Sequence, residues 1–261
     1  MFAEERREKI LEILHNSQRV LVKDLADQFQ VSIDSIRRDL SILEEQGLLK
    51  KTHGGAIPFS AVRKSSHSTN YRQKDGVPHI NAIAKTSVSY IQENDTIFLG
   101  GSQFHNSMLS YLPQHLQMTV VTNSIKIAEH LREWEKIDVY VVGGLVKKSG
   151  IMTDIIANEM IKQFTIDICF LTADAVSLNG LSTSTPELAS FSRAVMAVSR
   201  RRFCLASHDI MGEDAFSKVC PLSSIHVVIT DEGTPKQLQD EMEKLGVEVT
   251  TAKGSNHLSS Y

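Results

Sequence analysis

From about residue 80 to residue 251 the chain repeats one pattern: a short apolar run rich in β-branched residues, then a stretch with helical spacing. The runs are TIFLG (96–100), MTVVTN (118–123), DVYVVGG (138–144), IDICFLTAD (166–174), RRFCLAS (201–207), IHVVITD (225–231) and a last VEVTT. Between them lie NSMLSYL, SIKIAEHL, DIIANEMIKQF, PELASFSRAVMAVS and PKQLQDEMEKLG. Strands that are apolar at nearly every position have no face to give to water, and strands joined through helices pair in parallel. The pattern predicts an α/β domain over 79–251, with a mostly parallel sheet covered by helices on both faces. Hydrophobic residues make up 41% of the 261, enough for a sizeable core and too many for a disordered chain.

Residues 1–57 follow another rule. Ile10, Ile13 and Leu14, then Leu25 and Phe29, then Ile36, Leu40 and Leu43 mark three helices, and Gly47 is a stop signal. LLKKTHGGAI then reads as two apolar-basic pieces that pair as a tight ribbon around Gly54–Gly55. Residues 58–78 are polar, serine-rich and basic, and are expected to be a linker ending in a tether helix near Tyr71; residues 252–261 are expected to be a flexible tail.

Within 20–39 a short helix is followed by Gln30, Val31 and a Ser32 able to cap the next helix, which is the spacing of a helix-turn-helix. Ile36, Leu40 and Leu43 give the second helix one apolar stripe. Asp34, Arg38 and Ser41 project roughly opposite it, with Arg37 on the flank. A helix fits the major groove, where an arginine donates two hydrogen bonds to guanine. Ser32 and Ser35 at the helix start suit a phosphate. Asp39 either pairs with a nearby arginine and fixes its rotamer, or faces water. The ribbon, laid beside this helix as a wing, would bring Lys50, Lys51 and His53 to the backbone or minor groove.

Charge alone does not announce nucleic acid. The whole chain has a net charge of −3, and residues 1–57 hold nine Lys or Arg against ten Asp or Glu. The placement of the bases is the signal: Arg37–Arg38 on the helix and Lys50–Lys51 with His53 on the ribbon. Either pair alone is common on soluble surfaces. The joint pattern of turn, capped helix and basic wing predicts binding to double-stranded operator DNA.

These residues resemble a known family. Ser32-Ile33-Asp34-Ser35-Ile36-Arg37-Arg38-Asp39-Leu40, with Leu43-Glu44-Glu45-Gln46-Gly47 and Thr52-His53-Gly54-Gly55-Ala56, look like the N-terminal winged helix-turn-helix of the DeoR family of bacterial transcription regulators. Ser35 stands where that family usually has threonine, and keeps a hydroxyl. The resemblance implies a regulator, usually a repressor of sugar or nucleoside utilisation genes, released by a phosphorylated metabolite.

A DNA reader joined to an α/β body suggests an effector sensor, and open α/β sheets bind ligands beyond the carboxyl ends of their strands. The residues there include Gly101 and Ser102, Thr122 and Asn123, Gly144, Asp174 and His208, a mixture of glycines, hydroxyls, an amide and an acid that suits a polyhydroxy phosphate ester. The turn at Gly100–Ser102 is either an anion cradle or an ordinary loop; Asp174 either touches ligand or caps a turn. His208 and Arg193 each have a ligand-binding and a plain structural reading. The turn lacks the GK[ST] of a Walker loop.

The resemblance extends over about 4–250 through TIFL, VVTNS, VVGG, FLTAD, NGLST and LASHD, and it implies a sensor half of the ribose-phosphate isomerase and CoA-transferase type of α/β fold. The chain departs from the family pattern at Gly100-Gly101-Ser102-Gln103-Phe104, where an aspartate and two threonines are usual. Thr172 replaces a glycine, Ala189 and Arg193 replace a glutamate and a lysine, with Glu187 close by, and Ser207-His208-Asp209-Ile210 lacks a lysine. Thr122, Asn123 and Asp174 are the polar positions it keeps.

No enzyme activity, cofactor or metal is expected: Cys169, Cys204 and Cys220 form no ligand spacing, and no acid–base pair is evident. The charged start MFAEERREK and the lack of a long apolar run point to a cytoplasmic protein without a membrane span. Symmetric operators call for a homodimer or homotetramer, assembled through the sensor domain. Two readings of other classes stay open: a sugar-phosphate isomerase-like enzyme with a DNA module, and a DNA-binding protein whose second half only oligomerises.

Overall fold

A computed structural model describes residues 3–17, 19–46, 48–52, 54–58 and 78–254. The chain divides into two compact units, Met1–Ala61 and Val62–Tyr261. The helix expected near Tyr71, nearly all of the 58–78 linker, Gly47 and most of the expected tail lie outside the described residues.

In the first unit α1 (Ala3–Ser17) leads through β1 (Val20–Leu21) into α2 (Val22–Phe29) and α3 (Ile33–Glu45), and β2 (Leu49–Thr52) and β3 (Gly55–Pro58) follow. Gln30 ends α2 in the left-handed conformation, and Ser32 opens α3 by accepting from the Ser35 N–H, so the turn between the helices is short. Ile10, Leu14, Leu25, Ile36, Leu40 and Leu43 are buried together with Val20, Leu49 and Ala56. Each of the buried Leu, Ile and Val side chains among them contributes about 1.5–3 kcal/mol. The expected ribbon is present, but as part of three strands in the order β1-β3-β2, antiparallel throughout. Gly55 is needed at the centre of it, because a Cβ there would run into the Val20 carbonyl of the paired strand.

The second unit opens with α4 (Pro78–Val88). A seven-stranded sheet follows, built from β4 (Thr96–Leu99), β5 (Met118–Thr122), β6 (Ile137–Val141), β7 (Ile166–Thr172), β10 (Ser199–Leu205), β12 (Val227–Asp231) and β13 (Glu248–Ala252). Their order is β13-β12-β10-β7-β4-β5-β6, and every pairing is parallel. Side-chain alternation sorts the strands between two cores. Ile97, Leu99, Ile168, Phe170, Phe203, Leu205, Val227 and Ile229 pack with α4, α5 (Gln103–Leu109) and α6 (Ile125–Leu131). Phe98, Cys169, Leu171, Cys204 and Val228 pack with α7 (Ile155–Ile161), α8 (Pro186–Ala197) and α9 (Lys236–Lys244). Apolar residues at consecutive positions are thus explained by helices on both faces. The three cysteines are free thiols; burial pushes Cys169 up to about 12 and raises Cys204 as well, so both stay protonated.

A small antiparallel sheet, β11-β9-β8, was not anticipated from the sequence: β8 (Ala175–Ser177) and β9 (Gly180–Thr183) form a hairpin onto which β11 (Ser217–Cys220) adds. Among the described residues no helix is long and apolar enough to cross a membrane.

Candidate DNA interface and effector site

On α3 the apolar stripe is buried, and the opposite face carries Arg37 and Arg38, both exposed. Arg37 pairs with Asp34 at 3.2 Å in an exposed contact, and such pairs contribute about 0–1 kcal/mol. The exposed Arg38 side chain has no hydrogen bond or ion pair to another described residue, so its guanidinium is available. Asp39, for which pairing and solvation were both open, is 3% exposed and belongs to the interior. It accepts from Arg6 Nε at 2.6 Å and lies 3.5 Å from Arg7 Nη1, tying α3 to α1 rather than orienting Arg37 or Arg38.

Ser32 and Ser35 lie at the helix start, their hydroxyls 2.9 Å apart. Ser41 donates to the Arg37 carbonyl at 2.9 Å and accepts from Lys51 Nζ at 2.8 Å. The Lys51 backbone N–H donates to Glu44 Oε1 at 2.8 Å. Ser41 and Lys51 therefore join the wing to α3, and Glu44, which the sequence marked only as part of a motif and gave no role, fixes the wing's register. Lys50 is exposed on β2 beside them, while His53 lies outside the described residues.

In the sheet β5 and β6 lie to one side of β4, and β7, β10, β12 and β13 to the other. The switch point is the crevice beyond the carboxyl ends of β4 and β7, where ligands of such sheets bind. Gly100–Ser102 follow β4 and Asp174 follows β7. Ser102 caps α5, and the cap is closed by His105: its Nδ1 accepts from the Ser102 hydroxyl at 2.8 Å, while Nε2–H donates to the Phe170 carbonyl of β7 at 2.7 Å. The buried ring is held neutral, its pKa lowered to about 4 by desolvation against the opposing effect of the Phe170 bond. A Cβ on Gly100 would sit 3.3 Å from the His105 ring, so this imidazole crowds the place where the family pattern puts an aspartate side chain.

Next door, Asn123 donates to the Met152 carbonyl at 2.7 Å, and its Oδ1 is buried without a partner among the described residues, 3.6 Å from that same Cβ position. The Thr122 hydroxyl, fully buried, accepts from the Ser124 N–H at 3.1 Å. Gly101 lies beneath Ile151, whose side chain would be only 2.6 Å from a Cβ there. The segment carrying Ile151 is clasped by Glu187 of α8, which accepts from Lys147 at 2.8 Å and from Thr153 at 2.9 Å. The Lys147 bond is the main cause of the lowered Glu187 pKa. Lys147 is a cation at this rim that no sequence motif marked.

The remaining expected residues have clear local roles. Asp174 accepts from the Ser184 N–H at 2.6 Å, capping the turn before α8. Gly144, at φ +151, leaves room for Asp154, which caps α7. Arg193 donates to the Lys218 carbonyl at 2.7 Å and so holds α8 against β11. His208 follows β10; its ring Nδ1 lies 2.7 Å from Asp231 Oδ1 and its backbone N–H donates to Asp231 Oδ2 at 2.9 Å. Burial acts to raise the Asp231 pKa, but the N–H groups of His208 and Gly233 and the His208 ring outweigh it and hold the carboxyl below its usual range.

Comparison with known proteins accounts for both units. A model of the DeoR-like helix-turn-helix domain matches residues 6–61, and a model of the DeoR C-terminal sensor domain matches residues 78–232. The transcriptional repressor AccR of Agrobacterium fabrum is 30% identical over 93% of this chain and 95% of its own. The HTH-type transcriptional repressor GlcR of Bacillus subtilis is 29% identical, over 95% and 96%. The lactose phosphotransferase system repressor of Staphylococcus epidermidis is 26% identical, over 87% and 91%. Among solved structures, ribose 5-phosphate isomerase A of Methanocaldococcus jannaschii is similar at a TM-score of 0.38 and 14% identity, over 51% of this chain and 53% of that one. With a winged reader built around α3, an all-parallel sheet behind it in sequence, and family models spanning both, the chain belongs to the DeoR family of transcriptional regulators.

Proposed function

We propose that the protein is a repressor of a carbohydrate-utilisation operon, relieved by a phosphorylated sugar or related metabolite. The observation that carries the DNA half is the contrast on α3 between Asp39, buried against α1, and Arg38, exposed and unengaged among the described residues. Arg38 reads base edges; Lys50 meets phosphate from the wing. In a band-shift titration, Arg38→Ala removes the preference for operator over scrambled duplex, a change of about 10- to 100-fold, corresponding to about 1–3 kcal/mol for a bidentate arginine–guanine contact. Lys50→Ala weakens binding to both duplexes alike and lowers the salt slope by about 1. Unchanged specificity in the first variant, or an unchanged slope in the second, would reassign that residue.

For the effector, the reading is supported by the switch point between β4 and β7. Gly101, Ser102 and Asn123 line it, Asn123 offers an acceptor without a partner among the described residues, and Lys147, paired with Glu187, stands at the rim. Thr122, Gly144 and Asp174 shape the surrounding loops, and His208 and Arg193 contribute from further round. These groups fit binding rather than turnover: Gly100 has no side chain, and Asp174 is engaged by the Ser184 N–H. A thermal-shift panel of phosphorylated sugars, repeated with operator DNA, tests this: one member raises the melting temperature and releases the DNA. A melt indifferent to the panel would favour a sensor half that only oligomerises.

Assembly as a homodimer or homotetramer is part of the same proposal. The edge strand β6 exposes Tyr140 and Val141, and Leu145, Val146, Ile155 and Ile156 are exposed nearby in sequence. Such apolar exposure suits a subunit interface.

A further inference from the structure

The turn after β10 and the first turn of α4 meet, although residues 79 and 208–209 are far apart in sequence. We infer that His79, His208 and Asp209 form a binding site for a divalent transition cation of the zinc type, with Asp231 orienting His208. The site shares His208 with the residues placed around the proposed effector crevice, but the argument for it makes no use of the effector.

Distances come first. One potential ligand atom from each of the three residues lies within 4.8 Å of the others. His208 Nε2 is 3.2 Å from Asp209 Oδ1, and His79 Nε2 is 3.5 Å from Asp209 Oδ2. A tetrahedral cation with bonds of about 2.0–2.1 Å sets its donors about 3.3–3.4 Å apart. The two distances, one to each oxygen of the Asp209 carboxylate, lie close to that spacing, and the His79 ring meets the His208 ring edge-on at 5.2 Å.

Charge and hydrogen placement come second. The His208 ring lies between two carboxylates, Asp231 at Nδ1 and Asp209 at Nε2. A neutral imidazole carries one hydrogen. With that hydrogen on Nδ1 and directed at Asp231, Nε2 turns a lone pair toward a carboxylate oxygen, an arrangement that a cation on Nε2 converts from repulsive to attractive. A carboxylate gripping the far nitrogen of a ligating histidine is the usual outer partner of a metal site.

The support for His208 is itself built. Asp231 is 4% exposed and takes N–H bonds from His208 and Gly233 at 2.9 Å each. Gly233 has to be glycine for the ring to lie there, since a Cβ would be 2.5 Å from His208 Cγ. His79, His208 and Asp209 are all part-exposed, so a cation held by them keeps a position open to water or to an anionic oxygen. Nitrogen–nitrogen–oxygen donors without thiolate favour zinc, cobalt or nickel over magnesium or calcium. The cation would also pin the start of α4, the first described element after residue 58, to the sheet's strand-end loops.

The test is calorimetric titration of the full chain, stripped with chelator, with ZnCl2, and a parallel titration with CoCl2 read by visible absorption. One ion per chain is expected, with a cobalt spectrum of four-coordinate intensity. His79→Gln and Asp209→Asn each weaken binding at least 10-fold, and Asp231→Asn weakens it about 10- to 100-fold, as loss of an outer partner does. Circular dichroism confirms that each part-exposed variant keeps its fold. No saturable uptake of either metal overturns the proposal. So does uptake that survives both His79→Gln and Asp209→Asn unweakened.

Discussion

Asp39→Ala is expected to unfold the reader without touching a DNA-facing residue. The carboxylate is 3% exposed, bonded to Arg6 at 2.6 Å and within 3.5 Å of Arg7, whose side chains are 11% and 21% exposed. Removing it leaves two largely buried guanidiniums without their counter-charge, and breaking a buried pair costs about 3–5 kcal/mol. A unit of this size has a total stability of only about 3–9 kcal/mol. Hydrogen exchange on the full chain is the direct readout: amide protection in 3–58 falls by about 100-fold or more, a tenfold loss corresponding to about 1.4 kcal/mol, while protection in 78–254 is retained. DNA binding is lost for every duplex, unlike the loss of preference alone in Arg38→Ala. If Asp39→Ala instead kept its protection and altered which duplex is preferred, the residue would belong to the interface and not to the α1–α3 contact.

Acid should weaken the second unit through His105. Its folded pKa is lowered to about 4 from the ordinary value of 6.5, because burial disfavours the imidazolium more than the Phe170 bond supports it. Between those values the unfolded chain binds the extra proton, so stability rises with pH and is lost on acidification below about 6.5. From pH 7 to pH 4.5 this one group accounts for about 2–3 kcal/mol, and the loss levels off below about pH 4. His226, also lowered by burial and by Arg202, acts in the same direction. Asp231, Glu187 and Asp214, with lowered carboxyl pKa values, are stabilising above their unfolded values and lose that contribution only in stronger acid. Urea denaturation of wild type and His105→Gln at pH 7 and 4.5 separates these: the variant is less stable at pH 7 but loses about 2–3 kcal/mol less on acidification. Equal losses in the two proteins would mean that His105 is not held neutral. The ring also fastens the Gly100–Ser102 turn to β7, so the same acidification is expected to loosen that turn.

The two architectures were legible in the sequence for physical reasons. The apolar runs at 96–100, 166–174 and 225–231 announce strands buried on both faces, and the helical stripe Ile36, Leu40 and Leu43 announces one buried helix face. Strand ends were less legible: the run read as 138–144 stops at Val141, and just beyond it Gly144, at positive φ, leaves room for Asp154. The small sheet was missed because its strands are only three or four residues long, although Asn179–Gly180 is a hairpin signal.

In the site, local features were readable and distant partnerships were not. Ser32 as a cap and Arg38 as an outward side chain follow from helix periodicity. That Asp39 faces Arg6, that Arg193 bonds the Lys218 carbonyl, and that His79 meets His208 depend on chain segments brought together only by the fold. The glycine at residue 100 looked like a loss from the family pattern; the His105 ring that crowds the vacated place explains how the chain packs without the acid.

The central claim is that α3, steadied by the wing, reads sequence. Selection of duplexes from a randomised pool by the full chain, with affinity of the winners followed against salt, addresses it most directly. An enriched sequence whose affinity falls with salt, and whose enrichment disappears in Arg38→Ala, is the predicted result. A folded protein that enriches no duplex over the starting pool at any salt concentration would contradict it.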